Sequence, residues 1–297
     1  MAKESKIQGQ KPDSKKSKDR KRRKRKVIIV VIELLFLLGV LIWVWVNSKM
    51  DKLNTDVTFR GQDVRVELPK ETQDVLGEYT TIALFGLDNR DEGSSDVIMV
   101  ARIDKGTKEV RLVSVYRDTF LKMADLDNPN AYSKANAAYA KGGPKQAVRM
   151  LNTNLDLDIQ EYVSFDFSAV AEAVDILGGV EIEVNGAEVD HLNNYCIETS
   201  KVTGKDYSPL PGAGTYNLNG VQAVSYGRIR YTAGDDFKRT ERQRLVVEKM
   251  VEKALASDMG TINELIDAVF PKIKTSLDKG QIVSLATDAF NYKLGEN

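Results

Sequence analysis

The chain has 297 residues, 43 Lys/Arg against 43 Asp/Glu for zero formal net charge, one cysteine (Cys196) and one histidine (His191). A single cysteine excludes an intrachain disulfide, and a lone histidine in the polar stretch VDHLNNYC supports neither a zinc cluster nor a histidine-based triad. The balanced total hides an asymmetry: residues 1–26 hold 13 Lys/Arg and 3 Asp/Glu, whereas the chain from residue 47 onward holds 30 and 39.

In chain order, the basic tail 1–26 ends in KRRKRK and gives way to the apolar run Val27–Val46, whose one charge is Glu33. Twenty residues at ~1.5 Å rise span about 30 Å, the hydrocarbon thickness of a bilayer. Trp43 and Trp45 stand near one end, where aromatic anchors belong. The run is longer than the roughly 7–15 apolar residues of a signal peptide, and no small-residue cleavage site closes it. The expectation is a retained transmembrane helix over 27–46. The basic side faces the cytoplasm and anionic lipid headgroups; the C-terminal domain is extracellular, as in a single-pass protein of a Gram-positive type envelope. A 26-residue tail without apolar periodicity cannot build a nucleic-acid-reading domain, so no nucleic acid partner is expected.

Residues 47–75 read as an extracellular tether with a short strand near 64–68, and 76–297 as one domain of catalytic size. Strands are predicted at 80–87, 96–103 and 109–115, the last two joined through a hairpin turn at 104–107. Helices follow at 135–141 and, after Pro144, through 151; then come a strand at 161–166, a helix at 168–177 and a strand at 180–184. This interleaving predicts an α/β fold, a three-layer α/β/α sandwich with a mixed central sheet, closed on one side by the C-terminal helices. Polar residues gather at strand ends: Asp88-Asn89-Arg90, then Asp96, then Arg117-Asp118-Thr119. Strand ends are where α/β sheets build ligand sites.

Residues 225–244, SYGRIRYTAGDDFKRTERQR, hold five arginines and one lysine in an otherwise acidic ectodomain. A solvated surface paired through Asp235, Asp236 and Glu241 is one account. The spacing offers another. In an extended segment Arg228 and Arg230 share a face opposite Ile229, and Arg239, Arg242 and Gln243 share a face near the start of a helix beginning about residue 237. Together they aim cations at one place, suited to a phosphate or pyrophosphate. Two strand-end carboxylates with phosphate oxygens would form a hard-oxygen set for Mg²⁺.

The ordered segments GLDNR, SSD, LVSVYRDT, KANAAYAKGG, LGGVEI, LNGVQAVSYGRIR and DDFKRTERQ, over about residues 80–251, resemble the LytR-CpsA-Psr family of cell-wall ligases. The chain has Ser94-Ser95-Asp96-Val97 where that family has Arg-Ser-Asp-Thr, and Tyr116 where it often has Pro. The resemblance implies a phosphotransferase moving an anionic glycopolymer, teichoic acid or capsule-like, from undecaprenyl pyrophosphate to the muramic acid C6 hydroxyl of peptidoglycan. It implies Mg²⁺ on Asp88 and Asp96, and pyrophosphate contacts from Arg90, Arg117, Lys134, Arg228, Arg230, Arg239 and Gln243, with Arg242 in the same motif. Asp88 or Asp118 would take the hydroxyl proton. The apolar stripes Val148/Leu151 and Val170/Val174/Leu177 serve either a lipid channel or plain core. A non-catalytic polyprenyl-pyrophosphate-binding regulator and a lipid pyrophosphatase are the alternatives.

Overall fold

The computed structural model describes residues 37–38, 40, 44–87, 93–230, 235–288 and 291–295. It divides into two compact units, 1–50 and 51–297. In the first, residues 44–50 are helical; the tail 1–26 and most of the expected span 27–46 lie outside the described residues, among which no helix is long and apolar enough to cross a membrane.

The second unit is built on a mixed seven-stranded sheet. Its strands are β1 (Asn54–Thr55), β2 (Tyr79–Leu87), β3 (Ser95–Asp104), β4 (Glu109–Ser114), β7 (Glu161–Asp166), β10 (Ile273–Thr275) and β11 (Lys293–Leu294), in the order β1-β10-β7-β2-β3-β4-β11. The long apolar runs of β2 and β3 fill its centre, where β2 pairs antiparallel with β3 and parallel with β7. The β3–β4 turn forms because Asp104 Oδ1 accepts from the amides of Gly106 (2.8 Å) and Thr107 (2.7 Å), locally satisfying two backbone donors.

Helix α1 (Lys70–Gly77) precedes β2; α2 (Ala137–Leu155) covers one sheet face. Alternate strand residues Ala83, Phe85, Ile98, Val100 and Tyr162 meet Ala138, Val148, Met150 and Leu151 of α2 in the main core. The helix breaks as the sequence requires: Gly143 takes φ 63° and Pro144 restarts the second segment. On the opposite face, α3 (Phe167–Ile176) and α7 (Met259–Val269) bury Ala169, Ala173 and Val269 against Phe165 and Ile273. The sheet is thus covered on both faces.

A second core lies beside this one. Strand β8 (Val180–Val184) pairs with β9 (Gly214–Leu218) in a separate two-stranded sheet, and both pack with α4 (Gly186–Thr203), α5 (Gly220–Tyr226) and α6 (Asp235–Ala256). A third small sheet, β5 (Phe120–Lys122) with β6 (Tyr132–Lys134), and α8 (Lys279–Thr287) complete the elements used below.

Three expectations are corrected. The tether is folded from residue 54: β1 pairs with β10, Val64 is fully buried with Phe59 in the main core, and the strand expected at 64–68 gives way to a 3-10 turn at Gly61–Val64. Burying such side chains contributes roughly 1.5–3 kcal/mol each, and the hydrogen bond from Tyr162 to Asp56 Oδ2 (2.7 Å) fastens the segment. The polar stretch around His191, which reads as loop-like in sequence, is part of α4, whose start is fixed by a capping box between Asn185 and Glu188. The Arg228–Arg230 segment is not a strand; it is the irregular exit from α5, yet Ile229 is fully buried in the second core and both arginines line one cavity.

Candidate active site

A cavity of about 260 Å³ opens at the strand ends in the middle of the central sheet. Gly86 and Phe165, near the ends of parallel β2 and β7, meet Asp96 at the start of antiparallel β3 and Arg117 just past β4. The other wall comes from the second core: Arg228 and Arg230 after α5, and Arg239 and Gln243 from the first turns of α6. Sequence positions more than a hundred residues apart therefore converge on one place.

Each cation is held differently. Arg117 Nη1 donates to Asp96 Oδ1, and its Nε lies 3.6 Å from Asp118 Oδ2. Arg228 is 8% exposed, with its guanidinium 5.1 Å from the ring centroids of both Phe167 and Tyr195. Its Nη1 donates to Thr199 Oγ1 (2.8 Å) and its Nη2 to Glu198 Oε2 (2.7 Å). Gln243 Nε2 donates to the Gly227 carbonyl (3.2 Å), tying α6 to the segment that carries Arg228.

Arg239 stands apart. It is 2% exposed, and among the described residues only Nη2 is engaged, by Asp236 Oδ1 at 2.6 Å; Nε and Nη1 are buried with no hydrogen-bond partner among them. Burial, and then the neighbouring charges of Arg230 and Arg117, push its pKa down to about 10 in spite of Asp236 and Asp96. A buried donor left unmade costs about 1–3 kcal/mol. A cavity-facing guanidinium in this condition is prepared for an anion with two oxygens to offer.

The remaining wall is apolar: Val97, Phe165, Val170, Val224, Val246 and Val247. Of the stripes proposed from sequence, Val170 lines the cavity; Val148 and Leu151 belong to the main core, Val174 to the second core, and Leu177 is buried outside the lining.

Asp118 and Lys134 do not line the cavity but form an adjoining ion pair (2.7 Å). That bond, reinforced by Arg117 and opposed by partial burial, holds the Asp118 carboxyl below the usual range. Arg242 is a correction. One position before Gln243, it turns to the far side of α6, where Nε donates to buried Glu188 (2.8 Å) and Nη1 to the Ile229 carbonyl (3.0 Å). It braces the second core rather than the cavity. Asp88 and Arg90 lie outside the described residues. Of the two carboxylates expected to hold Mg²⁺, Asp96 faces the cavity with only Oδ1 taken by Arg117, a hard-oxygen donor that fits such an ion when phosphate oxygens complete the set. No group of three or more potential metal ligands occurs among the described residues.

Sequence reasoning missed Glu198, Tyr195 and Phe167, which shape Arg228; Asp236, one of the acidic partners expected for the cluster, pairs with Arg239. The helical spacing Val189, Leu192, Cys196, Thr199, all buried, was the signal for α4. Burial pushes the Cys196 thiol up to about 11, which suits a core residue rather than a nucleophile.

The fold has known counterparts. TagT bound to LI-WTA superposes with a TM-score of 0.57 at 22% identity, covering 78% of this chain and 80% of that one. Protein gbs0355 from Streptococcus agalactiae gives 0.61 at 23%, covering 76% and 77%. In sequence, the polyisoprenyl-teichoic acid–peptidoglycan teichoic acid transferase TagU of Enterococcus faecalis is 31% identical over 258 residues, 84% of this chain and 77% of its own length. Biofilm regulatory protein A of Streptococcus mutans is 29% identical over 211 residues, 67% of this chain; the match spans half of that relative. The LytR_cpsA_psr family profile matches residues 42–293, nearly all of the described residues and the whole cavity lining, and the chain belongs to the LytR-CpsA-Psr family.

Proposed function

We propose that the protein is a membrane-anchored phosphotransferase that moves an anionic glycopolymer from undecaprenyl pyrophosphate to the muramic acid C6 hydroxyl of peptidoglycan. The observation that carries this reading is Arg239, a buried guanidinium with two nitrogens unpartnered among the described residues, lining one cavity with Arg117, Arg228, Arg230 and a wall of valines. Cations beside an apolar wall match a molecule that is a pyrophosphate at one end and a hydrocarbon at the other. The name of the TagU relative and the lipid-linked ligand named for TagT support the same chemistry.

In this reading the acceptor C6 oxygen attacks the polymer-side phosphorus. The new P–O bond forms as the bridging P–O bond breaks, and undecaprenyl phosphate leaves with that electron pair. Such transfer asks a protein mainly to align groups and place charge. Arg239 and Arg117 neutralise non-bridging oxygens, Arg228 and Arg230 receive the leaving phosphate, and the valine wall holds the first prenyl units. Each buried CH₂ there contributes roughly 0.8 kcal/mol. Mg²⁺, held by Asp96 with Asp88, would add charge neutralisation at the phosphates. Asp118 is a poor acceptor for the hydroxyl proton because Lys134 and Arg117 stabilise its ionised form. Asp118 then orients Arg117 and Lys134.

The test uses the full chain in nanodiscs with a polyprenyl-pyrophosphate glycan and peptidoglycan oligomers, with Mg²⁺ and with EDTA. Metal-dependent release of polyprenyl phosphate together with glycan attachment supports the ligase. Release without attachment would make the protein a pyrophosphatase, and binding with neither product a regulator.

A further inference from the structure

The β5–β6 hairpin presents a face of which the cavity chemistry uses only Lys134, through its ion pair with Asp118. Phe120 pairs with Lys134 and Lys122 with Tyr132 in register, so these four side chains share one face while Leu121 turns inward to the main core. Phe120 is 69% and Tyr132 56% exposed, and their rings stack with centroids 5.9 Å apart and planes 20° from parallel. Two exposed aromatics lie on one diagonal of the face and two lysines on the other.

This face is held rigidly. The Asn154 side chain donates to the Lys122 carbonyl (2.8 Å) and accepts from its amide (3.1 Å), imitating a third strand. Gln146 donates to the Met123 carbonyl, and Met123 is fully buried. The hairpin also grows directly from the reaction site: Asn136 N donates to Arg117 O (3.0 Å), Ala135 N to Thr119 O (2.9 Å), and Lys134 reaches Asp118. Phe120 is three residues from Arg117, no more than about 10 Å of chain.

We propose that this hairpin is a binding platform for the glycan of the donor, a phosphate-bearing saccharide chain that runs outward from the pyrophosphate. The identity of the glycan rests on the ligase reading. Sugars offer an apolar face of C–H bonds, polarised positive, which meets the negative face of an aromatic ring. Phosphate groups between sugars meet Lys122 and Lys134. A stacked pair of rings leaves an outer ring face free on each side, enough for successive sugar units. The connecting loop argues against a membrane contact: Asp125 and Asp127 flank exposed Leu126 at its tip, and carboxylates there oppose an anionic lipid surface. Rigid exposed rings rimmed by charge mark a recognition surface rather than stray apolar area.

The experiment uses the full chain in nanodiscs, as wild type and as the double variant Phe120→Ser/Tyr132→Ser, with Lys122→Gln as a second variant. Thermal unfolding checks that the exposed substitutions leave the fold intact. The binding probe is a soluble hexosamine–poly(glycerol phosphate) oligomer without lipid or pyrophosphate. The expected result is about a tenfold weaker Kd for the double variant, and a smaller loss for Lys122→Gln that shrinks as salt rises. In turnover, KM for a long-glycan donor rises about tenfold in the double variant, while kcat, and both constants for a single-sugar donor, stay unchanged.

Equal oligomer affinity in wild type and double variant overturns the platform. So does a double variant that loses affinity for phosphatidylglycerol vesicles or for neutral peptidoglycan fragments in place of the oligomer. Oligomer binding that depends on the rings in a protein showing no transfer would uphold the platform and sink the ligase reading alone.

Discussion

Asp236 and Arg239 sit one turn apart on α6, and the Asp236 carboxylate meets only one of the three guanidinium nitrogens of its partner, at 2.6 Å. The two that remain are buried and have no hydrogen-bond partner among the described residues. The shift of Arg239 from 12.5 to about 10 corresponds to roughly 3 kcal/mol of unfavourable charge burial. The sign follows from proton counts. Below pH 10 both folded and unfolded chains bind the proton and the penalty is complete; it fades as pH rises from about 10 towards 12.5, where only the unfolded chain stays protonated. Arg239→Gln is therefore expected to reduce turnover at least 100-fold, with the relief of the buried charge offset by loss of the Asp236 pair so that the unfolding free energy stays within about 2 kcal/mol of wild type. Inorganic pyrophosphate should raise the Tm of wild type and leave that of the variant unmoved. Calorimetry with and without pyrophosphate checks both statements.

Arg228 is locked between Phe167 and Tyr195, and a planar fork suits that slot better than a point charge. Arg228→Lys should retain the fold and lose about 100-fold in kcat, and Arg228→Ala or Arg117→Ala should abolish turnover. Wild-type rates in the alanine variants, measured by polyprenyl phosphate release, would move the reaction elsewhere.

Asp96 is the shared partner of Arg117 and of the proposed metal. Asp96→Asn removes a charged ligand, so the half-saturating Mg²⁺ concentration is expected to rise about tenfold. An unchanged Mg²⁺ titration of turnover would refute the assignment.

Asp56 governs acid stability. Burial pushes its carboxyl up, but hydrogen bonds from Thr58 and Tyr162 and the charge of Lys274 outweigh this and hold it at about 2. The folded pKa lies below the ordinary 3.8, so the carboxylate contributes about 2 kcal/mol above pH 4, lost as pH falls from about 4 to 2. Asp56→Asn should lower the unfolding free energy at pH 7 by about 2 kcal/mol and flatten its fall over that window. Urea titrations at stepped pH read both.

The sheet was legible because burial writes itself as uninterrupted apolar runs: β7 and β8 match their expected bounds and β2 begins one residue early. What the runs could not show was partnership, since β8 leaves the main sheet to pair with Gly214–Leu218, whose mixed residues carry no strand pattern. At the cavity, Ile229 goes to the second core while Arg228 and Arg230 line the cavity, although the segment is not a strand and Arg228 is itself buried. Helical spacing was too coarse to separate Arg242 from Gln243; a carboxylate on a distant helix, Glu188, decided it. Glu198 and Thr199 were invisible for the same reason, being contributed by a helix whose sequence is mostly polar.

The two cores touch around the cavity, and its charged ligands are divided between them: Asp96 and Arg117 on the sheet side, Arg228 and Arg239 on the other. In the proposed function, a pyrophosphate bridging these groups would act as a rivet between the two cores. The empty protein should then melt with each core partly autonomous, and the loaded one as a single cooperative unit. Loss of substrate would be felt first as slippage along that seam, well before either core unfolds.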